Sequence, residues 1–111
     1  MSNPSGLSMP WVFKEESIVD AALLFKHCRR IPYAQVLLHV LADHPDQIYS
    51  LTKLAQEAEA NTDGIAEAIR GIDQACDAYG RVSLVKKMND EYQMSEEVAN
   101  VLKAAWENWS S

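Results

Sequence analysis

Apolar residues recur at helical spacing in five stretches of the chain, and capping or helix-stopping residues bound these stretches. The first begins at Ser17, which can cap a helix, and Asp20 three residues later approximates a capping box. Pro32 ends this helix and suits the first turn of the next one. Asn61 is a good cap for the fourth helix, and Gly80 is a good stop. The spacing predicts helices over about 17–30, 33–42, 51–58, 61–78 and 95–109.

The pattern after the fourth helix is typical of strands. Residues 82–86 form a β-type run, residues 88–91 are turn-like, and residues 92–94 can return as a partner strand. A short extended piece, residues 47–49, precedes Ser50, which can cap the third helix. Four helices, a hairpin and a last helix can enclose one core. The expected core includes Leu24, Leu37, Leu41, Leu54, Ile65, Ile69, Ile72, Leu84 and Leu102.

Residues 33–94 resemble a winged helix-turn-helix domain. The resemblance rests on residues 36–42 (VLLHVLA), residues 48–58 (IYSLTKLAQEA), the helix over 61–80 and the hairpin over 82–94. It is greatest to IclR-type and MarR-like bacterial regulators, in which a scaffold helix is followed by a short strand, an S-L-x-x-L-A helix, a recognition helix and a wing. The implied fold is mainly α, with one small β-hairpin wing and additional N- and C-terminal helices.

The predicted organisation is a flexible arm over residues 1–16 and a single domain over residues 17–111. Proline, glycine and serine dominate the first ten residues and are typical of a loosely attached segment. Trp11 and Phe13 do not fit that interpretation, since two aromatic side chains in an arm usually dock on something.

The resemblance implies that the helix beginning near Asn61 enters the major groove of DNA and presents its N-terminal side chains to base edges. The lysine pair before the hairpin turn can contact the DNA backbone, although such a pair is equally typical of a solvated hairpin tip. The candidate DNA contacts are Thr52, Asn61, Thr62, Arg70, Gln74, Arg81, Lys86 and Lys87. The function expected from the resemblance is a transcriptional regulator that binds operator DNA as a homodimer.

Charge supports a second hypothesis. The chain has 10 basic and 16 acidic residues, whereas domains that hold nucleic acid through phosphate contacts are usually basic. On a helical wheel of the fourth helix, the isoleucines lie on the side expected to face the core, and an acidic face lies on the outward side. That outward face comprises Asp63, Glu67, Arg70, Gln74 and Asp77. The alternative is therefore an acidic winged-helix module that docks on a basic protein partner or mimics nucleic acid.

A stripe of small residues runs between the two faces of the fourth helix, formed by Gly64, Ala68, Gly71 and Ala75. Glycine inside a helix costs about 0.5–1 kcal/mol relative to alanine, so two of them indicate a steric reason. The stripe predicts either close packing against another helix of the same domain or a docking groove for a partner protein.

The terminal helices contain more large apolar residues than the small core needs. The predicted homodimer interface consists of Ile18, Phe25, Leu102, Trp106 and Trp109. The alternative is that the two terminal helices and the N-terminal aromatic residues cover one another within a single chain.

No residue pattern predicts catalysis, a cofactor or a metal site. His27 and Cys28 are adjacent and point about 100° apart on a helix, so they cannot chelate one ion together. Cys28 and Cys76 fall on apolar helix faces and are expected to be reduced core residues, with a shared metal or redox role as a minor alternative. No apolar run approaches the ~20 residues that span a bilayer, and the N-terminus lacks the pattern of a secretory signal. We expect a cytoplasmic protein.

Overall fold

The computed structural model describes residues 8–109, with side chains described up to Glu107. Within this part of the chain there are five helices, a short 3-10 turn at Cys28–Arg30 and three short strands. The helices are α1 (Glu15–His27), α2 (Ala34–Asp43), α3 (Leu51–Ala58), α4 (Thr62–Ala78) and α5 (Glu96–Trp109). The strands are β1 (Tyr49–Ser50), β2 (Lys86–Met88) and β3 (Glu91–Gln93).

The three strands form one antiparallel sheet in the order β1–β3–β2. Tyr92 at the centre of β3 lies between Tyr49 on β1 and Lys87 on β2. The chain therefore runs helix, strand, helix, helix and hairpin from α2 to β3, which is the winged helix-turn-helix arrangement. The predicted fold class, mainly α with a hairpin wing and a further helix at each end, is confirmed.

Three helices begin with a side-chain cap, and two of these caps, Ser50 and Asn61, are predicted from the sequence. The Ser50 hydroxyl accepts a hydrogen bond from the Lys53 backbone N–H at 3.1 Å, and Ser95 accepts one from the Val98 N–H at 3.3 Å. Asn61 Oδ1 accepts from the Gly64 N–H at 2.6 Å. These bonds satisfy backbone donors that the first turn of a helix leaves without a partner.

The first helix begins two residues earlier than predicted, at Glu15, so the proposed cap at Ser17 is wrong. The Ser17 side chain is buried inside the first turn instead. Asp20 does not complete a capping box either, because its carboxylate forms an ion pair with Arg81. A long-range partner has replaced the local one that the spacing favoured.

The wing strand begins four residues later than predicted, at Lys86 instead of residue 82. Leu84 and Val85 are consecutive and both 1% exposed, so this stretch cannot alternate between a core side and a solvent side as a strand would. On α2, Leu38 is buried beside the expected core residues Leu37 and Leu41, whereas Val36 is exposed.

Residues 8–14 pack on the domain, so this part of the expected flexible arm is ordered against the fold. The Met9 backbone bridges the chain at Gly80–Val82 through two hydrogen bonds of 2.9 and 3.0 Å. Trp11 is 3% exposed, and its indole N–H donates to the Val82 carbonyl at 2.8 Å. Residues 1–7 of the predicted arm lie outside the described residues.

The core lies between α1, α2, α4 and α5. Helix α3 and the wing pack against it. Every residue expected in the core is buried, and Ile69, the most accessible of the nine, is only 3% exposed. Helices α1 and α5 pack along one another and complete the enclosure. In the described part of the chain, no helix has the length and apolar character to cross a membrane.

Candidate interaction surface

The outward side of α4 has the acidic character that its sequence predicts. Its five polar residues, Asp63, Glu67, Arg70, Gln74 and Asp77, are all exposed, and we call them the α4 surface. The opposite side of the helix is buried through its isoleucines and Cys76. Three carboxylates and a single guanidinium therefore face solvent along the helix that would read DNA in a winged-helix regulator.

The single arginine of the α4 surface is already paired. Arg70 Nη1 lies 2.5 Å from Glu67 Oε2, one turn away on the same helix. Both side chains are more than 60% exposed, so the pair is held only loosely and contributes little to stability. The pair also offsets part of the positive charge that Arg70 brings to the α4 surface.

Lys87 on the wing is also paired with an acid of α4. Its ammonium contacts the Asp73 carboxylate, which accepts a second hydrogen bond from the Ser83 hydroxyl. Arg70, Asp73 and Lys87 line one shallow cleft between α4 and the wing. The wing is thus tied to α4 by an acid–base contact.

Arg81 is not a surface residue, and its predicted role in contacting DNA is wrong. Its side chain is 3% exposed and its Nε lies 2.8 Å from Asp20 Oδ2. Nη1 donates to the Pro10 carbonyl at 2.8 Å and to the Ser17 hydroxyl at 3.2 Å, and the guanidinium lies 4.7 Å from the Trp11 ring centroid. Arg81 therefore joins the N-terminal segment, α1 and the start of the wing.

Four of the eight candidate DNA contacts remain exposed without a hydrogen bond or ion pair described for their side chains. They are Thr52 at the start of α3, Thr62 at the start of α4, Gln74 on α4 and Lys86 on β2. Lys86 is the only base among them. The candidate set thus loses most of its positive charge to contacts within the chain.

Asn61 caps α4 through its side-chain oxygen, and this role can be tested directly. Replacing Asn61 with alanine should lower the free energy of unfolding by about 1 kcal/mol, because the Gly64 N–H loses its acceptor. Replacement with aspartate should preserve stability, since a carboxylate can accept the same bond at a helix N-terminus. Urea denaturation of the two variants measures both effects, and equal losses would contradict the capping role.

The small-residue stripe is explained by close packing within the domain. A Cβ atom added at Gly64 would lie 2.9 Å from Tyr33 Cε2, and one added at Gly71 would lie 2.9 Å from Ile31 Cγ2. Ala68 and Ala75 are buried. The stripe seats α4 against the connection between α1 and α2, where the prediction had placed another helix.

A groove beside this contact contains a base that is not among the eight candidate DNA contacts. Arg30 follows α1 and lines the groove together with Glu67, Arg70 and Gln74 of the α4 surface. The signal was present in the sequence as the Arg29–Arg30 pair before Pro32. What the sequence could not show is that the chain turn brings Arg30 beside α4.

Both cysteines are buried and neither forms a disulfide, as expected for core residues. Burial raises the pKa of the Cys28 thiol to about 11. Burial is also the main cause that raises the pKa of the Cys76 thiol to about 12. Among the described residues there is no group of three or more histidine, cysteine or acidic side chains that could hold a metal ion.

The raised pKa values predict slow thiol chemistry in the folded protein. At pH 8 the thiolate fraction of Cys28 should be about 100-fold below that of an unperturbed cysteine, and burial restricts access further. Reaction with Ellman's reagent should therefore be slow in native buffer and rapid for two thiols in denaturant. Rapid native-state labelling of either cysteine would contradict this packing.

The predicted dimer residues are largely covered by their own chain. Leu102 is 0% exposed, so its place in an intermolecular interface is wrong. Ile18, Phe25 and Trp106 are partly buried against the core, and the Trp106 ring centroid lies 5.2 Å from that of Phe25. The side chain of Trp109 lies outside the described residues. These contacts favour the alternative in which the terminal helices cover one another.

Comparison with known proteins gives no match: no family model, no curated protein and no solved structure matches the chain.

Proposed function

We propose that this winged-helix domain is a protein-interaction module, whose α4 surface binds a basic segment of a partner protein. The observation that supports it is the surplus of exposed carboxylates on α4, with Arg70 paired to Glu67. Like charges repel, so Asp63, Glu67 and Asp77 oppose the approach of a phosphate backbone. The same three carboxylates attract lysine and arginine side chains.

The burial of Arg81 and the pairing of Lys87 add to this argument. A DNA-binding wing needs cations that can reach phosphates, and these two bases have acidic partners within the chain. The net charge of −6 acts in the same direction over longer distances. Two reduced, buried cysteines are consistent with a module that works in the cytoplasm.

Double-stranded DNA is the second candidate partner, bound by a homodimeric transcriptional regulator. The element order favours it, and so does the groove in which Arg30, Arg70 and Gln74 lie along α4. Arginine and glutamine side chains are suited to hydrogen bonding with phosphates and base edges. In this case the Arg70–Glu67 pair must open on binding.

Two binding measurements separate the candidates. The first follows a fluorescein-labelled octalysine peptide by anisotropy with the wild-type protein and with the triple variant Asp63→Asn/Glu67→Gln/Asp77→Asn. The matched control is Glu15→Gln/Asp43→Asn/Glu107→Gln, which removes the same charge from exposed positions on α1, α2 and α5. The second follows sheared genomic DNA between about 50 and 200 mM salt.

The module proposal predicts that the α4 triple variant weakens peptide binding by about tenfold, while the control changes it much less, because screening limits remote charges. It also predicts no DNA binding at physiological salt. Specific DNA retardation that falls steeply with salt, and is lost in Arg30→Gln, would establish the regulator instead. Equal peptide binding by the two triple variants would remove the α4 surface from the proposal.

A further inference from the structure

We propose that an extended segment of the partner protein binds in the groove between α4 and residues 30–33, which we call the α4 groove. The segment contains an arginine and an acidic residue that are three positions apart. It is the basic segment of the proposed function, so its binding rests on that function. The groove has a volume of about 650 Å³, within the range of about 300–1,000 Å³ that is usual for ligand sites.

The chain that joins α1 to α2 runs along α4 in the opposite direction. Ile31 lies against Gly71 in the second half of α4, whereas Tyr33 lies against Gly64 in the first turn. A helix rises about 1.5 Å per residue, so these two contacts are about 10 Å apart along the helix axis. The groove therefore has a Gly64 end and a Gly71 end.

Arg30 gives the Gly71 end a positive charge. It directly precedes Ile31, its side chain is exposed, and it lines the groove. None of the ion pairs described within residues 8–107 involves Arg30. An exposed guanidinium can bind a carboxylate through two parallel hydrogen bonds. This end is therefore suited to an acidic side chain of the partner.

The Gly64 end is suited to a cation. Asp63 is adjacent to Gly64 and Glu67 follows it by one turn, and both carboxylates are exposed. The Tyr33 ring lies over Gly64, where an added Cβ would be 2.9 Å from Cε2, and the residue is 43% exposed. Carboxylates attract both arginine and lysine, but the planar guanidinium of arginine also stacks on an aromatic ring. This end therefore favours arginine over lysine.

The distance between the two ends sets the spacing of the partner residues. An extended chain rises about 3.3 Å per residue, so residues three positions apart span about 10 Å. An arginine at the Gly64 end and an acidic residue at the Gly71 end would then each face the opposite charge. Pro32 and Ala68 also line the groove, and two small residues between the charged ones can pack against them.

Synthetic peptides of both chain directions test the spacing, because either direction satisfies it. The two spaced peptides are GSRAAESG and GSEAARSG, each added to ¹⁵N-labelled protein and followed in ¹H–¹⁵N spectra. The control peptide GSREAASG has the same composition with adjacent charges, and GSKAAESG has lysine in place of arginine. The amide signals of Gly64 and Gly71 report on the groove, and Gly80, which does not line it, is the internal reference.

Two protein variants test the positive end of the groove. Arg30→Gln removes the guanidinium that lines it. Arg29→Gln is the matched control, because it removes the same charge from the adjacent exposed residue, which lines a different cavity. Circular dichroism checks that both variants are folded.

We expect at least one spaced peptide to shift the Gly64 and Gly71 signals and to bind about fivefold more tightly than either control peptide. Arg30→Gln should weaken this binding by about tenfold, which corresponds to the loss of one charge-assisted contact. Arg29→Gln should leave it nearly unchanged. The proposal would be overturned if neither spaced peptide shifted the two signals, if a control peptide bound as tightly, or if the two variants weakened binding equally.

The octalysine measurement distinguishes this proposal from the proposed function. Octalysine has no acidic side chain, so Arg30→Gln should not weaken its binding. Octalysine binding that depends on the three α4 carboxylates, without binding of either spaced peptide, would remove the groove and leave the interaction module in place.

Discussion

Replacing Arg81 with alanine is expected to lower the free energy of unfolding by about 3 kcal/mol, since removal of one member of a buried ion pair usually costs this much. The loss has several sources. Asp20 loses its partner, the Pro10 carbonyl and Ser17 hydroxyl lose a donor, and Trp11 loses the cation beside its ring. In a domain of this size such a change should lower the melting temperature by about 10–20 °C.

Urea denaturation measures the Arg81 effect, and Lys86→Ala is its control. Lys86 is an exposed base on the wing, so its loss should change the free energy of unfolding by less than about 0.5 kcal/mol. A stability change below that of the control would show that Arg81 is not the structural residue described above. The comparison also distinguishes a buried base from an exposed one, although the sequence predicts the same DNA-contacting role for both.

Replacing Leu102 with alanine should lower the free energy of unfolding by about 3 kcal/mol, because it leaves a cavity in the core at a residue that is 0% exposed. The loss should be the same at every protein concentration, as expected for a contact within one chain. A midpoint that rises with protein concentration would instead indicate that folding is coupled to association.

The matched control for Leu102 is Leu23→Ala on α1. Leu23 is 42% exposed, so the same substitution removes much less buried surface and should cost well under half as much. Denaturation of the two variants side by side therefore compares two identical substitutions that differ in burial. Similar losses would mean that the α1 surface around Leu23 is covered in solution.

The core and the helix ends could be predicted because they depend on local sequence. Helical spacing places Ile65, Ile69 and Ile72 on one side of α4 whatever lies opposite, and Asn61 caps the helix from the adjacent position. The acidic character of the α4 surface follows from the same spacing. For these features the neighbouring residues contain the necessary information.

The environment of Arg81 could not be predicted, because its partners are distant in sequence. Asp20 is 61 residues away and Pro10 is 71 residues away. An isolated arginine at the start of a hairpin is typical of an exposed base, and only the fold brings a carboxylate and an aromatic ring to it. The docking site of Trp11 cannot be predicted for the same reason, since the carbonyl that accepts its indole N–H belongs to Val82.

The wing shows how burial overrides strand propensity. Residues 82–85 contain the apolar and β-branched side chains of a strand, but Leu84 and Val85 both face the core. The hairpin therefore forms in the following, more polar residues, where Asn89 adopts a φ of 57° in the turn. Residue composition alone does not indicate at which residue the hairpin begins.

The Asp20–Arg81 pair bears on the order in which the chain folds. Closing a loop of 61 residues costs more entropy than forming the nearby contacts of α2, α3 and α4, so α1 should dock after these helices have assembled. A contact made after the transition state slows unfolding without accelerating folding. We therefore expect the Asp20–Arg81 pair to slow the detachment of the N-terminal segment and α1 from the rest of the domain.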